Sequence, residues 1–150
     1  MATSPVDIDT SIAALTVSGL TLKALGAMQD AVDLRAGPLL MAAPAFMTDF
    51  EIRVDSFGSA AAKKTIFYTL NYRLYYLPIG AARGLYEVYP GLTTTIFAFL
   101  VAIANNDALT GTIDLTPFAP ASDNWTVKDP ADNDFFGCDL PLRVKDFFED

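Results

Sequence analysis

The chain has 150 residues, of which 52% are hydrophobic and 19% charged, and it carries a net charge of −8 with no histidine. Its one cysteine, Cys138, cannot form an intrachain disulfide. Without histidine, the usual nitrogen ligands for zinc, copper or iron and the commonest general base are missing. We therefore expect no metal, no cofactor and no enzymatic activity.

The negative charge is concentrated near the end of the chain. Residues 105–150 hold ten acidic and three basic side chains, whereas residues 1–104 hold eight and seven. Such a surface repels phosphates and argues against sequence-specific binding of DNA or RNA. The first residues lack the basic start of a secretory signal, and the longest charge-free apolar run, Thr95 to Ala104, is too short to span a bilayer. We expect a cytosolic origin and no membrane segment.

Apolar periodicity predicts two helices. Ser4-Pro5 is typical of a helix start, and Gly37-Pro38 is predicted to end the first helix. Its apolar stripe consists of Ile8, Ile12, Leu15, Leu22, Leu25 and Val32. Tyr89-Pro90 is predicted to open the second helix and Asn105-Asn106-Asp107 to end it. The second stripe consists of Leu92, Ile96, Phe99, Leu100 and Ile103.

Alternating patterns predict the strands. A half-buried strand is expected at Phe50 to Val54, and a longer one from Ile66 to Tyr76 should pair with it as an antiparallel hairpin. Further strands are expected at Thr112 to Leu115, around Trp125 to Lys128, and from Phe136 to Val144. The expected fold is α+β, a single domain over residues 1–150. It has an N-terminal helix, an antiparallel sheet with hairpins, and a second helix packed on the sheet.

Three features suggest chemistry, and each has a simpler interpretation. Residues 58–65 partly match a phosphate-binding loop, but the second glycine is missing and a strand follows instead of a helix. Asp123, Asp129, Asp132 and Asp134 lack the spacing of a calcium loop and indicate a solvated, electronegative hairpin. Cys138 lies on the apolar side of a predicted strand, which is typical of a core cysteine.

Several stretches resemble the tail terminator family of long-tailed bacteriophages and related neck proteins. They are TIFYTLNYRLYYLPIG, GLYEVYPGLTTTIFAFLVAI, NNDALTGTIDLTP and FFGCDLPLRVKDFFED, which together cover most of residues 60–150. The order of helix, strand, hairpin strand, helix and terminal hairpin is also similar to that family. The resemblance lies in the order of elements and the texture of the sequence, without an invariant motif.

The resemblance implies a virion protein, assembled in the host cytoplasm, that forms a hexameric ring. Such a ring caps the tail tube protein, stops its polymerisation and joins it to the head-tail connector or stopper protein, while DNA passes through the channel without specific binding. Phe57, Trp125, Phe147 and Phe148 are the predicted interface residues between subunits or with the tube. Asp123, Asp129, Asp132 and Asp134 are predicted to face the channel or the connector. The alternatives are a neck stopper or head completion protein and a small ligand-binding α+β dimer.

Overall fold

The computed structural model describes residues 4–27, 31–34, 37–54, 64–80, 84–106, 114–117 and 125–148, with the backbone alone at 114–117, 147 and 148. Within these residues, two α-helices, a short 3-10 helix and six strands form an α+β fold, so the predicted class is confirmed. In chain order they are α1 (Pro5–Ala13), β1 (Thr21–Leu22), the 3-10 helix (Leu25–Ala27), β2 (Leu39–Val54), β3 (Lys64–Pro78), α2 (Leu85–Ala104), β4 (Asp114–Pro117), β5 (Thr126–Lys128) and β6 (Asp134–Phe148).

The strands form one sheet in the order β1-β2-β3-β6-β4, and β5 pairs with a separate stretch of β6. β2 and β3 form the predicted antiparallel hairpin, and β5 and β6 form the terminal one. The sheet is mixed and not purely antiparallel, because the two-residue strand β1 runs parallel to β2. β3 pairs with β6 along nearly its whole length, from Lys64 opposite Phe148 to Pro78 opposite Phe135.

The main core lies between the helices and one side of the sheet. Alternate residues of β3, including Leu70, Tyr72 and Leu74, point to this side as predicted and are buried. The stripe of α2 packs against them, because an amphipathic helix buries its apolar side on the sheet. On the opposite side of the sheet, a smaller cluster is built around Tyr75. Its other buried members are Leu39, Met41, Val127 and Phe135.

The first helix is much shorter than predicted. The Ser4 side chain caps α1 by accepting a hydrogen bond from the Asp7 N–H at 3.2 Å, but the helix ends at Ala13 instead of continuing to the predicted end at Gly37-Pro38. Gly19 adopts a positive φ of 74°, and the chain then pairs with β2 as strand β1. Two glycines weaken a continuous helix here by about 1 kcal/mol each, and strand pairing prevails over the helical spacing.

The strand β2 begins at Leu39, eleven residues before the predicted start at Phe50, and Pro44 lies inside it. Proline is tolerated because it lies in an irregular stretch, where the register shifts between Ala42 and Met47. Asn71 fixes this stretch by donating from Nδ2 to the Ala45 carbonyl at 3.0 Å. The predicted half-buried pattern at Phe50 to Val54 is wrong, because both sets of alternate side chains are exposed there.

The helix α2 begins at Leu85, earlier than the predicted opening at Tyr89-Pro90. Pro90 lies inside the helix near its first turns, where one backbone hydrogen bond is lost. The predicted end is confirmed, since Asn105 is the C-cap. The strand expected at Thr112 to Leu115 is described only from Asp114 and extends to Pro117 as β4.

Candidate interaction surfaces

The outer half of the β2–β3 hairpin carries an uncovered apolar surface. Ile52 pairs with Ile66, and the ring of Phe50 stacks on Tyr68 at 5.6 Å between centroids. These residues therefore point to the same side of the sheet as the main core. Ile52 is nevertheless 67% exposed, and Met47, Phe50 and Val54 of the same strand are also exposed. We call this surface the hairpin face; it consists of Met47, Phe50, Ile52 and Val54.

The other side of the same hairpin is polar. Arg53 Nε donates to Glu51 Oε1 at 2.7 Å, and the Arg53 guanidinium lies over the Phe67 ring at 4.8 Å from its centroid. The pKa of Glu51 is lowered by the hydrogen bond from Arg53. Arg143 Nη1 reaches across from β6 to the Asp49 carbonyl at 2.8 Å. One side of the hairpin is thus suited to water and the other to an apolar partner.

A second uncovered apolar surface lies on α2. The stripe Leu92, Ile96, Phe99 and Ile103 is buried against the sheet, whereas Tyr86 and Phe97 are 93% and 69% exposed on the opposite side of the helix. Val101 is also exposed. We call Tyr86, Phe97 and Val101 the helix face. The only charged residue in α2 is Glu87 in its first turn.

Among the described residues, α2 is the one helix whose length and apolar composition would allow it to cross a membrane. The charge-free run from Thr95 to Ala104 is therefore part of a longer apolar helix than the sequence predicts. Length and apolar composition are shared by membrane spans and by core helices, and the stripe of α2 packs on the sheet as in a core helix.

Trp125, a predicted interface residue, is half-buried at the start of the terminal hairpin. Its ring meets Tyr89 of α2 edge to face, with 5.6 Å between the centroids. It packs against the main core and has a positive φ of 57°. Trp125 therefore connects α2 to the terminal hairpin within one subunit, and part of its surface is accessible.

The other predicted interface residues are only partly described. The backbone of Phe147 and Phe148 pairs with Thr65 and Lys64 at the outer end of the β2–β3 hairpin, on the edge of β3 that lies away from β2. Phe57 lies outside the described residues, as do Asp123 and residues 58–63 of the possible phosphate loop.

The acidic turn between β5 and β6 is partly neutralised by a lysine. Lys128 Nζ lies 3.3 Å from Asp132 Oδ1 and 3.4 Å from Asp134 Oδ1, and all three side chains are exposed. The hydrogen bond to Asp132 and the charges of both acids raise the pKa of Lys128. Asp132 and Asp134 remain accessible to a partner, with one positive charge between them.

Asp129 has a structural position that differs from the predicted solvated one. It is buried, and its carboxylate accepts hydrogen bonds from the backbone N–H groups of Val32 at 2.9 Å and Asn133 at 2.8 Å. Burial alone would raise the pKa of Asp129, but these bonds and the Asn133 side chain outweigh it and lower the pKa. These backbone donors therefore hold the Asp129 carboxylate inside the protein, where it stabilises the turn between β5 and β6.

A cleft of about 510 Å³ lies on the polar side of the sheet, between the irregular stretch of β2 and the strands β3 and β6. Arg73 Nε donates to Asp139 Oδ1 at 2.6 Å, and Arg73 Nη1 donates to the Lys128 carbonyl at 3.0 Å. Asn71 donates to Thr48 Oγ1 at 2.9 Å. These polar groups bind one another, so the cleft offers a ligand few preorganised partners.

In the described part of the chain, no group of three or more Cys, Asp or Glu side chains is arranged to hold a metal ion. The sequence does not predict the helix face or most of the hairpin face, because apolar periodicity cannot distinguish a covered side from an uncovered one.

No protein-family model matches the chain, and no curated protein matches its sequence.

Proposed function

We propose that this protein is a structural ring subunit, the tail terminator of a long-tailed bacteriophage, which self-associates and caps the tail tube. The observation that carries the proposal is the pair of uncovered apolar surfaces, the hairpin face and the helix face. Monomeric proteins rarely leave large apolar patches in water, and such patches mark interaction sites. Ring subunits need one surface for each neighbour.

The sequence resemblance supplies the specific role. A tube that grows by adding identical rings presents the same surface after each layer, so growth stops when a different subunit covers that surface. Asp132 and Asp134 are accessible acids that suit a surface turned to the connector or the DNA path, because they repel phosphates. In this proposal the ring has no catalytic activity and binds no cofactor.

Self-association is the first test. Size exclusion with light scattering should show a closed oligomer, with six subunits if the ring matches the tail tube. A dimer would favour the small ligand-binding protein instead. A monomer at concentrations up to roughly 100 µM, which covers micromolar affinities, would contradict the proposal.

Deletion of the gene tests the role in the virion. Electron microscopy of the lysate should show tails of abnormal length, or tails detached from filled heads. Normal virions would contradict the proposal, and heads without DNA would indicate a stopper or head completion role. Charge reversal of Asp132 and Asp134 should impair joining of heads to tails while the subunit stays folded, and Val6→Lys, at an exposed residue of α1, is the control.

Trp125 and Phe148 test the predicted interface. We expect Trp125→Ala and Phe148→Ala to weaken ring formation, since aromatic residues are enriched at binding hot spots. If either variant lowers the melting temperature but assembles as the wild type does, that residue belongs to the core of one subunit. Trp125→Phe is the matched control, because it keeps a ring against Tyr89.

A further inference from the structure

The two uncovered apolar surfaces belong to a strand of the sheet and to one side of a helix, and these are the elements that pack on each other in layered folds. We propose that the hairpin face of one copy receives the helix face of α2 from a second copy. This inference rests on the proposed self-association and identifies the contact that produces it.

The hairpin face continues a surface that already packs against a helix. Ile66 and Tyr68 of β3 contact the main core, and their partners on β2, Ile52 and Phe50, extend the same side of the sheet outward. Inside the subunit this side is covered by the stripe of α2. A second helix beside the first would extend that sheet-helix packing over the exposed end, which is how sheets bury an apolar side.

The helix α2 is suited to be covered on both sides. Its inner stripe packs on its own sheet, and the outer side beyond Glu87 of the first turn is formed by uncharged residues. A helix that is apolar around most of its circumference is normally buried in protein or lipid. Contact between the two surfaces places no charged side chain of either face in the interface, so it avoids the cost of burying ions. Glu87, the one charged residue of α2, lies beside Tyr86 in the first turn, at the end of the helix face.

A protein partner is favoured over a lipid surface. Helices that lie on membranes carry Lys or Arg on their polar side, and α2 contains neither residue. The net charge of −8 opposes anionic lipids. Insertion of α2 into a bilayer would also expose the core that its stripe covers, including Leu92 and Phe99.

Complementary variants test this contact. Ile52→Arg destroys the hairpin face and leaves the helix face intact, and Phe97→Glu does the reverse. We expect each variant alone to be monomeric, with self-association weakened at least about tenfold, as at interface hot spots. An equimolar mixture should form a heterodimer, because each variant retains the surface that the other has lost. Light scattering and native mass spectrometry measure these masses.

Controls separate the contact from folding. Ile52 and Phe97 are exposed, so far-UV circular dichroism and the melting temperature of both variants should remain near those of the wild type. Val6→Arg and Val6→Glu introduce the same charges at an exposed apolar residue of α1 and should assemble normally. Assembly of either single variant in the wild-type form, or failure of the mixture to form a heterodimer, would overturn the inference.

The outcomes distinguish this contact from the ring itself. If the wild type forms a ring and the single variants still assemble, the proposed contact is refuted and the ring proposal stands. A wild-type dimer whose variants behave as expected supports the contact and refutes the ring. A wild-type monomer refutes both. A monomer that floats with vesicles of phosphatidylcholine and phosphatidylglycerol, and loses this binding in Phe97→Glu, would assign the helix face to lipid and overturn the inference.

Discussion

The hydroxyl of Tyr72 donates a 2.8 Å hydrogen bond to Oδ1 of Asp9, and both residues are buried. The other oxygen, Asp9 Oδ2, accepts from the backbone N–H of Leu25 at 2.8 Å. Burial and the nearby charge of Asp9 raise the pKa of Tyr72, so the hydroxyl remains a donor. One carboxylate therefore connects α1, β3 and the 3-10 helix.

Loss of the Tyr72 hydroxyl should destabilise the subunit. Tyr72→Phe leaves the buried Asp9 carboxylate without the hydroxyl donor, and the free energy of unfolding should fall by roughly 1–3 kcal/mol. Urea denaturation measures the change. Tyr86→Phe, which removes a hydroxyl that is almost fully exposed, should have no measurable effect. Equal stability of the two variants would mean that the bond to Asp9 contributes nothing net.

Asp129 should make stability depend on acidic pH. Because its pKa is lowered in the folded state from an ordinary value of 3.8, the unfolded chain takes up the proton first as the pH falls. Its contribution is complete above the ordinary pKa and is lost as the pH falls through the lower folded pKa. Melting temperatures measured between about pH 6 and pH 2 should fall less in Asp129→Asn than in the wild type. Asp132→Asn, the same substitution at an exposed position of this turn, is the matched control.

Gly137 and Gly91 differ in what an added Cβ would contact. A Cβ at Gly137 would overlap the carbonyl oxygen of Leu74, which is fixed within the sheet, whereas a Cβ at Gly91 would meet only the hydroxyl end of Tyr76. Gly137→Ala should lower the free energy of unfolding by at least about 2 kcal/mol, as overpacking does. Gly91→Ala should cost less, since Tyr76 can move and alanine favours the helix by about 1 kcal/mol. The reverse order in chemical denaturation would contradict this assignment.

Cys138 should be unreactive in the folded protein. It is fully buried in the main core, and burial together with the charge of Asp139 raises the pKa of its thiol to about 12. Reaction with a thiol reagent at mildly alkaline pH requires the thiolate and an accessible sulfur. Labelling should therefore proceed no faster than unfolding and become fast in denaturant. Rapid labelling without denaturant would show that this part of the core opens locally.

The sequence predicts the central strands of the fold well, but it predicts poorly where helices and strands begin and end. The alternation along β3 and β6 predicts the side that faces the main core correctly, because the helices cover that side and leave little choice of residue there. The segment after Ala13 was misassigned, since Leu22, Leu25 and Val32 have helical spacing but β1 pairs with β2. Propensity and spacing are local, and pairing with a distant strand overrides them.

Prediction of the candidate surfaces was limited for a similar reason. Phe50 and Ile52 were expected to be half-buried because they alternate with Glu51 and Arg53, yet no helix covers that end of the sheet within the described residues. Asp129 is indistinguishable from Asp132 and Asp134 by composition. Only the folded turn brings the Val32 and Asn133 donors to its carboxylate.

The irregular course of β2 affects how readily its outer edge can pair with strands of other molecules. In the described part of the chain, only Thr21 and Leu22 pair with the outer edge of this long strand. A straight edge of that length would seed fibrils by recruiting strands of other copies. Pro44 and two register shifts divide its row of donors and acceptors into short pieces. Addition of strands from other copies to this edge is thereby disfavoured.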